Sequence, residues 1–377
     1  MERQTTRSRR LPPSRCGSGR AAGHALAAAF GLALAAMSLP APATAEDAPI
    51  MLQKMGAFAF GGTTITGEKG GTQHCNHGYA QFQIPVEPRR YPIVFWHSAS
   101  TVTWESSPDG RDGFQSIFLR RGFPVYIIDL PGQGRAGNGC GVLEYKPNPG
   151  LDQYTFDGWR FGTWNPPDAP KFYPGAQVPA NDPQWLDQVL RARYPEAEGD
   201  DANARNAAAV GALLDKAGDS ILVTHSGSGV MGFFTATRVP HVKAVVSYEP
   251  SAFVFPPGKK PEAIVTGFNN KPQDPGVEVS AEEFARLKDV KMQLVFGDFI
   301  PTESSKVRGP ERRRISLIYA RRFAELVNEA GGQVEVVYLP EKGIKGNTHL
   351  LMLDLNNVEV ADVFSDFLRR TGLDARK

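Results

Sequence analysis

Cysteine is scarce in this sequence, with three residues in 377. That excludes a small disulfide-dense scaffold and a cysteine-rich zinc module. Neither sign of charge is in excess, with 42 Lys and Arg against 40 Asp and Glu, and no basic stripe points to nucleic acid. No internal repeat is visible, which argues against a solenoid. What remains is 41% hydrophobic and 22% charged, ordinary for a globular chain that can bury a large core.

The first 45 residues read differently from the rest. Arg3, Arg7, Arg9, Arg10, Arg15 and Arg20 precede the apolar run "ALAAAFGLALAAMSL", and "ATA" at 43–45 offers a small-x-small cleavage site. That order is expected of a secretory signal peptide over 1–45. The run is shorter than the roughly 20 residues of a spanning helix, so no membrane span is expected in the mature chain. "SRRLPPS" has a twin-arginine pair, but prolines stand where apolar residues belong. Six arginines and one glutamate leave with this segment, so the whole-chain charge of +2 becomes −3 once that +5 is removed. The mature protein is expected to be periplasmic or secreted.

Export explains the cysteines. Cys16 leaves with the signal, and Cys75 and Cys140 form an even pair in an oxidising compartment, where a disulfide is expected. "HCNH" (His74, Cys75, His77) offers a rival metal reading, but no fourth ligand is recognisable. No metal or organic cofactor is implied.

Beyond residue 58, short apolar runs alternate with amphipathic segments. Strands are expected at 79–86, 91–98, 124–130, 219–225, 242–249, 291–298 and 333–340. Helices are expected at 113–121, 203–217, 228–238, 312–330 and 358–370. The alternation implies an α/β fold with a mostly parallel, doubly wound sheet over 46–377. The first strands lack intervening helices, so an antiparallel edge is expected. Two long insertions interrupt the pattern, at about 141–200 and 251–289. The first is crowded with Tyr145, Tyr154, Phe156, Trp159, Phe161, Trp164, Phe172, Tyr173 and Trp185, and insertions of this length usually serve function.

"PGQGRAG" (131–137) matches G-x-G-x-x-G directly after a strand. It is a poor dinucleotide site, because it does not follow the first strand and "NGCGVLEYKPNPG" cannot open a phosphate-binding helix. "ILVTHSGSGVMGFF" (221–234) carries more weight, since it runs a strand through a knot of small residues into a helix. A nucleophile at such a sharp turn needs small residues two before and two after it. Ser226 has Thr224 two before it and Ser228 two after, and Gly229 follows. Ser228 would place Val230 and Met231 where bulk clashes, so Ser226 is the candidate nucleophile.

A serine hydroxyl needs a base, and in a strand-turn-helix hydrolase the chain order is serine, acid, histidine. His349, in "KGNTHLLMLDLNN" after the last strand, alone occupies the required slot. Two carboxylates end strands between them, Glu249 in "VVSYEPSAF" and Asp298 in "LVFGDFIP". Glu249, beside the elbow and longer in reach, is favoured as the acid; Asp298 is the alternative and otherwise braces its loop. The oxyanion donors expected are the backbone N–H groups of Gly227 and Ala99.

Five segments in order, "VFWHSASTVTWESSPDGRDGF", "RRGFPVYIIDLPGQGR", "VTHSGSG", "VVSYEP" and "GNTHLLMLDLNN", resemble secreted bacterial carboxylesterases of the α/β-hydrolase fold, over about residues 58–370. Thr224 and Ser98 stand where that family carries glycine. The resemblance implies Ser226 as nucleophile, Glu249 as acid, His349 as base, and Ala99 and Gly227 at the oxyanion. It implies a cap, largely 141–200, and a small-molecule ester as substrate. The cap aromatics suit an apolar or aromatic ester of moderate size, and equally a cap core. A lactonase or amidase with the same triad, or an inactive binding protein on the same fold, are the other readings.

Overall fold

The computed structural model describes residues 48–97, 100–137, 140, 147–193 and 202–376. The signal segment expected at 1–45 lies outside the described residues, as do Ser98, Ala99 and Tyr145.

Eight strands build the central sheet: β1 (Leu52–Phe60), β2 (Gly78–Pro85), β3 (Ile93–His97), β4 (Val125–Asp129), β5 (Ser220–His225), β6 (Val242–Tyr248), β7 (Lys291–Phe296) and β8 (Gln333–Tyr338). Their order across the sheet is β1-β2-β4-β3-β5-β6-β7-β8. β1 runs antiparallel to β2 and β2 antiparallel to β4, while every pair from β4 to β8 is parallel. The expected antiparallel edge is therefore present.

The apolar runs have the burial they imply. β3 and β5 are buried at every residue, because helices cover both faces of a parallel sheet. Successive side chains alternate between two cores. Val94 and Trp96 pack on one face with Leu222, Val245 and Met292, whereas Ile93 and Phe95 pack on the other with Ile221, Val223 and Val246. Full burial of each such side chain stabilises by about 1.5–3 kcal/mol.

Helices α1 (Phe114–Arg120), α2 (Leu151–Gly158), α3 (Pro183–Arg191), α4 (Ala202–Ala217), α5 (Ser228–Ala236), α6 (Arg308–Glu329) and α7 (Asn357–Arg370) follow. Among the departures from the sequence expectation are β1 and the start of α6, besides α2 and α3 within the first insertion. β1 was hidden because its nine residues "LQKMGAFAF" are mostly small or exposed and show no clean alternation. α6 begins one turn before residue 312, since "RGPE" reads as a break. Pro310 instead sits in the first turn, where its missing N–H has no intrahelical acceptor to lose.

The disulfide joins Cys75 to Cys140 with a Cα–Cα distance of 5.2 Å, so Cys75 offers no free thiolate to a metal. Residues 147–193 contribute α2, a short antiparallel pair and α3. Phe156, Phe161 and Trp185 are buried within this segment, in edge-to-face contact at 5.6 Å for both Phe156–Phe161 and Phe161–Trp185. Residues 251–289 lie against the other core through Phe253, Phe255, Phe284 and Leu287. Among the described residues, no helix is long and apolar enough to cross a membrane.

Candidate active site

The turn after β5 positions Ser226. Its φ is +55°, a left-handed conformation that costs a non-glycine residue about 1–3 kcal/mol and persists only when its surroundings enforce it. They do so here: Ser226 N–H donates to Tyr248 O at 3.0 Å, and Ser251 N–H donates to Ser226 O at 3.1 Å. Small residues let the following helix lie close. A Cβ on Gly229 would approach Pro250 Cβ to 2.6 Å, and one on Gly232 would approach Thr224 Cγ2 to 2.6 Å. Ser228, the other serine of the knot, is fully buried; its hydroxyl accepts from His225 N–H at 2.9 Å and lies 2.8 Å from His225 O. It braces the turn and leaves Ser226 facing the cavity.

Glu249 ends β6, one strand over, and also has a positive φ of +48°. Its N–H donates to Val295 O at 2.8 Å, which extends the ladder to β7 and fixes the turn. His349 lies in the loop after β8; its N–H donates to Trp159 O at 2.8 Å. The three side chains meet. His349 Nδ1 is 2.5 Å from Glu249 Oε2, and His349 Nε2 is 3.0 Å from Ser226 Oγ. A carboxylate can only accept, so Nδ1 carries the proton and Nε2 presents its lone pair to the serine hydroxyl.

Glu249 is fully buried and fully partnered. Its carboxylate accepts from Gly297 N–H at 2.9 Å and from both Nη atoms of Arg160, one at 2.7 Å. Burial alone would raise its pKa; the Arg160 charge and the His349 bond outweigh that and hold it well below the ordinary value. Arg313 donates Nη1 to the backbone oxygen of Glu249 at 2.6 Å. Burial, then the Arg313 charge, lowers His349 to about 3 against the opposing pull of Glu249. The imidazole is therefore neutral, and able to accept a proton, across the physiological range.

Asp298 is occupied elsewhere. Its carboxylate accepts from Phe299 N–H at 2.6 Å and Gly346 N–H at 2.8 Å, and its backbone oxygen accepts from Arg160 Nε at 2.9 Å. Gly227 lines the cavity beside Ser226 and caps α5. Ala99, the other expected oxyanion donor, lies outside the described residues.

Two buried histidines support the loop. Ser100 N–H donates to His97 Nδ1 at 2.9 Å, so His97 carries its proton on Nε2 and donates to His225 Nδ1 at 2.7 Å. His225 Nε2 then donates to His349 O at 2.7 Å. Burial lowers both pKa values well below the ordinary one, in keeping with this neutral, one-directional chain. Sequence reasoning missed this pair, Arg160 and Arg313. His97 and His225 end adjacent parallel strands in register, a signal the strand order would have supplied. Arg160 had none, being a lone arginine among the aromatics of the first long insertion.

The triad opens into a cavity of about 450 Å³ lined by α2, α6 and the elbow. Of the aromatics in residues 147–193, Tyr154 and Trp159 line it, while Phe156, Phe161 and Trp185 are buried behind.

No family profile matches the chain. It is 26% identical over 319 residues to a fungal protein named "Probable secreted lipase phiG" from Fungal sp. (strain ATCC 74256), covering 78% of this chain and 85% of that one. Among solved structures it is similar to a novel bacterial esterase, with 26% identity and a TM-score of 0.68, over 88% of this chain and 99% of the other. The strand order, the serine at the elbow after β5 and these two similarities agree on one architecture: the chain has an α/β-hydrolase fold, similar to that of a bacterial esterase and in sequence to a secreted lipase.

Proposed function

We propose that the protein is a carboxylic ester hydrolase working through Ser226, His349 and Glu249. The observation that carries this reading is the unbroken line from Ser226 Oγ to His349 Nε2 at 3.0 Å and from His349 Nδ1 to Glu249 Oε2 at 2.5 Å, at the floor of a cavity.

His349 Nε2 takes the hydroxyl proton as Ser226 Oγ attacks the ester carbonyl. The imidazolium that forms is stabilised by Glu249, which remains ionised. Charge developing on the carbonyl oxygen is met by the N–H of Gly227 and, by sequence position, that of Ala99. The tetrahedral intermediate collapses as His349 returns the proton to the departing alcohol, which leaves the acyl group on Ser226. Water, deprotonated by the same imidazole, then attacks the acyl carbonyl, and Ser226 is released with its proton. The segment around 141–200 acts as a cap, and the cavity size suits an ester of moderate length, with Trp159 and Tyr154 as its apolar contacts. The N-terminal signal pattern, the disulfide and the secreted relative support export to the periplasm or beyond.

Turnover of a chromogenic ester, abolished in Ser226→Ala with the fold intact, tests this reading. An active Ser226→Ala enzyme, or a wild type that neither turns over esters nor is labelled by a serine-directed phosphonate, would overturn it.

A further inference from the structure

The cavity above Ser226 carries an unusual charge. Arg193, Arg308, Arg312 and Arg313 all line it, and among the described residues its lining holds no aspartate or glutamate. Three of the four come from one face of α6, at positions i, i+4 and i+5. The fold makes room for them: a Cβ on Gly158 of α2 would come within 2.5 Å of Arg308 Nη1.

Three of these guanidinium groups, those of Arg193, Arg308 and Arg312, are only lightly engaged. Arg308 lies over the Tyr154 ring and donates Nη1 to Tyr154 O at 2.6 Å. Arg193 donates to Thr155 Oγ1 at 2.5 Å. The Arg312 side chain has no hydrogen-bond or ion-pair partner among the described residues, and no described carboxylate forms an ion pair with Arg193 or Arg308. Arg313 is almost wholly buried and donates Nη1 to Glu249 O at 2.6 Å and Nη2 to Ser251 Oγ at 3.3 Å, while its Nε has no hydrogen-bond partner. Glu249, the carboxylate nearest to it at 3.9 Å from that Nε, is committed to Arg160 and His349.

Holding these charges close together in a partly buried cavity is costly. Burial, with repulsion from Arg312 and Arg193, pulls Arg308 down to about 10 even though Tyr154 opposes it. Burial and the other arginines pull Arg313 to about 9 against the attraction of Glu249. Both remain cationic at neutral pH. An ester with no charge would gain nothing from this field, whereas guanidinium forks match a carboxylate or phosphate in geometry and charge.

Building on the hydrolase reading, we infer that the substrate is an ester bearing a second, anionic group, bound by Arg308 and Arg312 while Ser226 attacks the ester carbonyl, with the buried Arg313 adding its charge from behind. The hydrolytic step is unchanged; the arginines set which esters are held in place for it. This goes beyond the sequence-based expectation of an apolar or aromatic ester of moderate size: of the aromatics behind that expectation, Tyr154 and Trp159 line the cavity and Phe156, Phe161 and Trp185 are buried.

The test uses two matched pairs of esters with the intact enzyme. Mono-4-nitrophenyl adipate against 4-nitrophenyl hexanoate places the carboxylate on the acyl side. The hexanoate of 4-hydroxyphenylacetate against 4-tolyl hexanoate places it on the alcohol side. In at least one pair the anionic ester should have a kcat/KM higher by on the order of 10-fold or more at low salt, and the ratio should shrink as ionic strength rises. Arg308→Gln and Arg312→Gln, each checked for a native circular dichroism spectrum, should lower that ratio. Arg322→Gln removes the same charge from an exposed ion pair on the same helix and should leave the ratio unchanged. Turnover of all four esters with no anionic preference in either pair overturns the inference and leaves the hydrolase reading standing. So does a preference that survives both substitutions or is lost equally in Arg322→Gln. Absence of turnover for every ester, with no phosphonate labelling, overturns the hydrolase reading and this inference with it.

Discussion

Arg160 and Glu249 form an ion pair that is closed to solvent on both sides, with two guanidinium nitrogens on the two carboxylate oxygens directly behind His349. A pair this buried offers little net stability over an apolar pair, but removing one partner strands the other charge. Arg160→Leu should therefore destabilise the fold by about 3–5 kcal/mol and, in whatever folds, leave Glu249 less strongly ionised and kcat reduced. Arg160→Lys keeps the charge and loses the fork, so its losses should be smaller in both respects. Urea unfolding with ester kinetics checks this; an Arg160→Leu enzyme as stable and active as wild type would exclude the role.

The low pKa of His349 bears on the pH profile. An exposed histidine base would lose activity below its ordinary value of 6.5, whereas burial and Arg313 hold His349 to about 3. The acid limb of kcat/KM should accordingly lie well below pH 6, limited by unfolding before it is limited by His349 protonation. Stopped-assay rates from pH 4 to 8 on a neutral ester measure it. A limb at pH 6.5 or above would show that the imidazole is far more easily protonated than its surroundings imply.

Stability should fall in the same acid range, and the sign can be worked out. His97, His225 and His349 all have pKa values below the unfolded reference of 6.5. Below pH 6.5 the unfolded chain gains three protons that the native state refuses, so the stability they contribute is present above 6.5 and lost as pH falls. Asp354 acts the other way: burial raises it to about 7 from 3.8, so its contribution is present below 3.8 and lost as pH rises through 7. Three lowered histidines against one raised aspartate leave the unfolded chain binding more protons below pH 6.5, so stability should fall as the pH drops from 7.5 to 5. Denaturant melts at pH 5 and pH 7.5 test this; equal or greater stability at pH 5 contradicts it.

Much of this site was legible because its parts are local. The small residues around Ser226 are demanded by a turn whose geometry involves only its neighbours, and His349 was picked out by chain order alone. The sheet from β3 to β8 was legible for a similar reason, since a strand covered on both faces must be a continuous apolar run. Arg160, Arg313 and the His97–His225 pair were not legible, because each acts through residues far along the chain: Arg160 reaches Glu249 across 89 positions and His225 meets His97 across 128. The arginines of "VRGPERRR" look like the solvated start of a helix, and only the packing of α2 on α6 turns them toward Ser226.

The disulfide closes a long loop, with a sequence separation of 65 between Cys75 and Cys140. In the chain-entropy model such a link stabilises by about 4 kcal/mol, less any strain. The denatured, unreduced protein should show no titratable thiol from this pair, and reductant should lower the melting temperature. Because neither cysteine lies near Ser226 in the cavity lining, activity at moderate temperature should survive reduction while thermal stability does not. Two free thiols before reduction, or a melting temperature unmoved by reductant, would contradict this.

The choice between Glu249 and Asp298 as the acid can be decided by a paired substitution. Under the proposed mechanism Glu249→Gln keeps the shape but removes the charge that stabilises the imidazolium. It also places an amide where both His349 Nδ1–H and Arg160 donate, so one of its two ends can no longer accept. The fall in kcat should be large, up to about 10⁴-fold, with KM little changed. Some loss of stability should accompany it, because Arg160 loses its buried counter-charge. Asp298→Asn weakens a loop brace to Phe299 N–H and Gly346 N–H and should cost mainly stability, with kcat within a few-fold of wild type. Both variants need a native circular dichroism spectrum at the assay temperature, so that a lost fold is not taken for lost chemistry. Glu249→Asp adds a third point: it restores the charge on a shorter arm and should recover part of the lost rate. A folded Asp298→Asn enzyme that is crippled beside a near-normal Glu249→Gln would move the acid to Asp298, despite the 2.5 Å contact between Glu249 and His349.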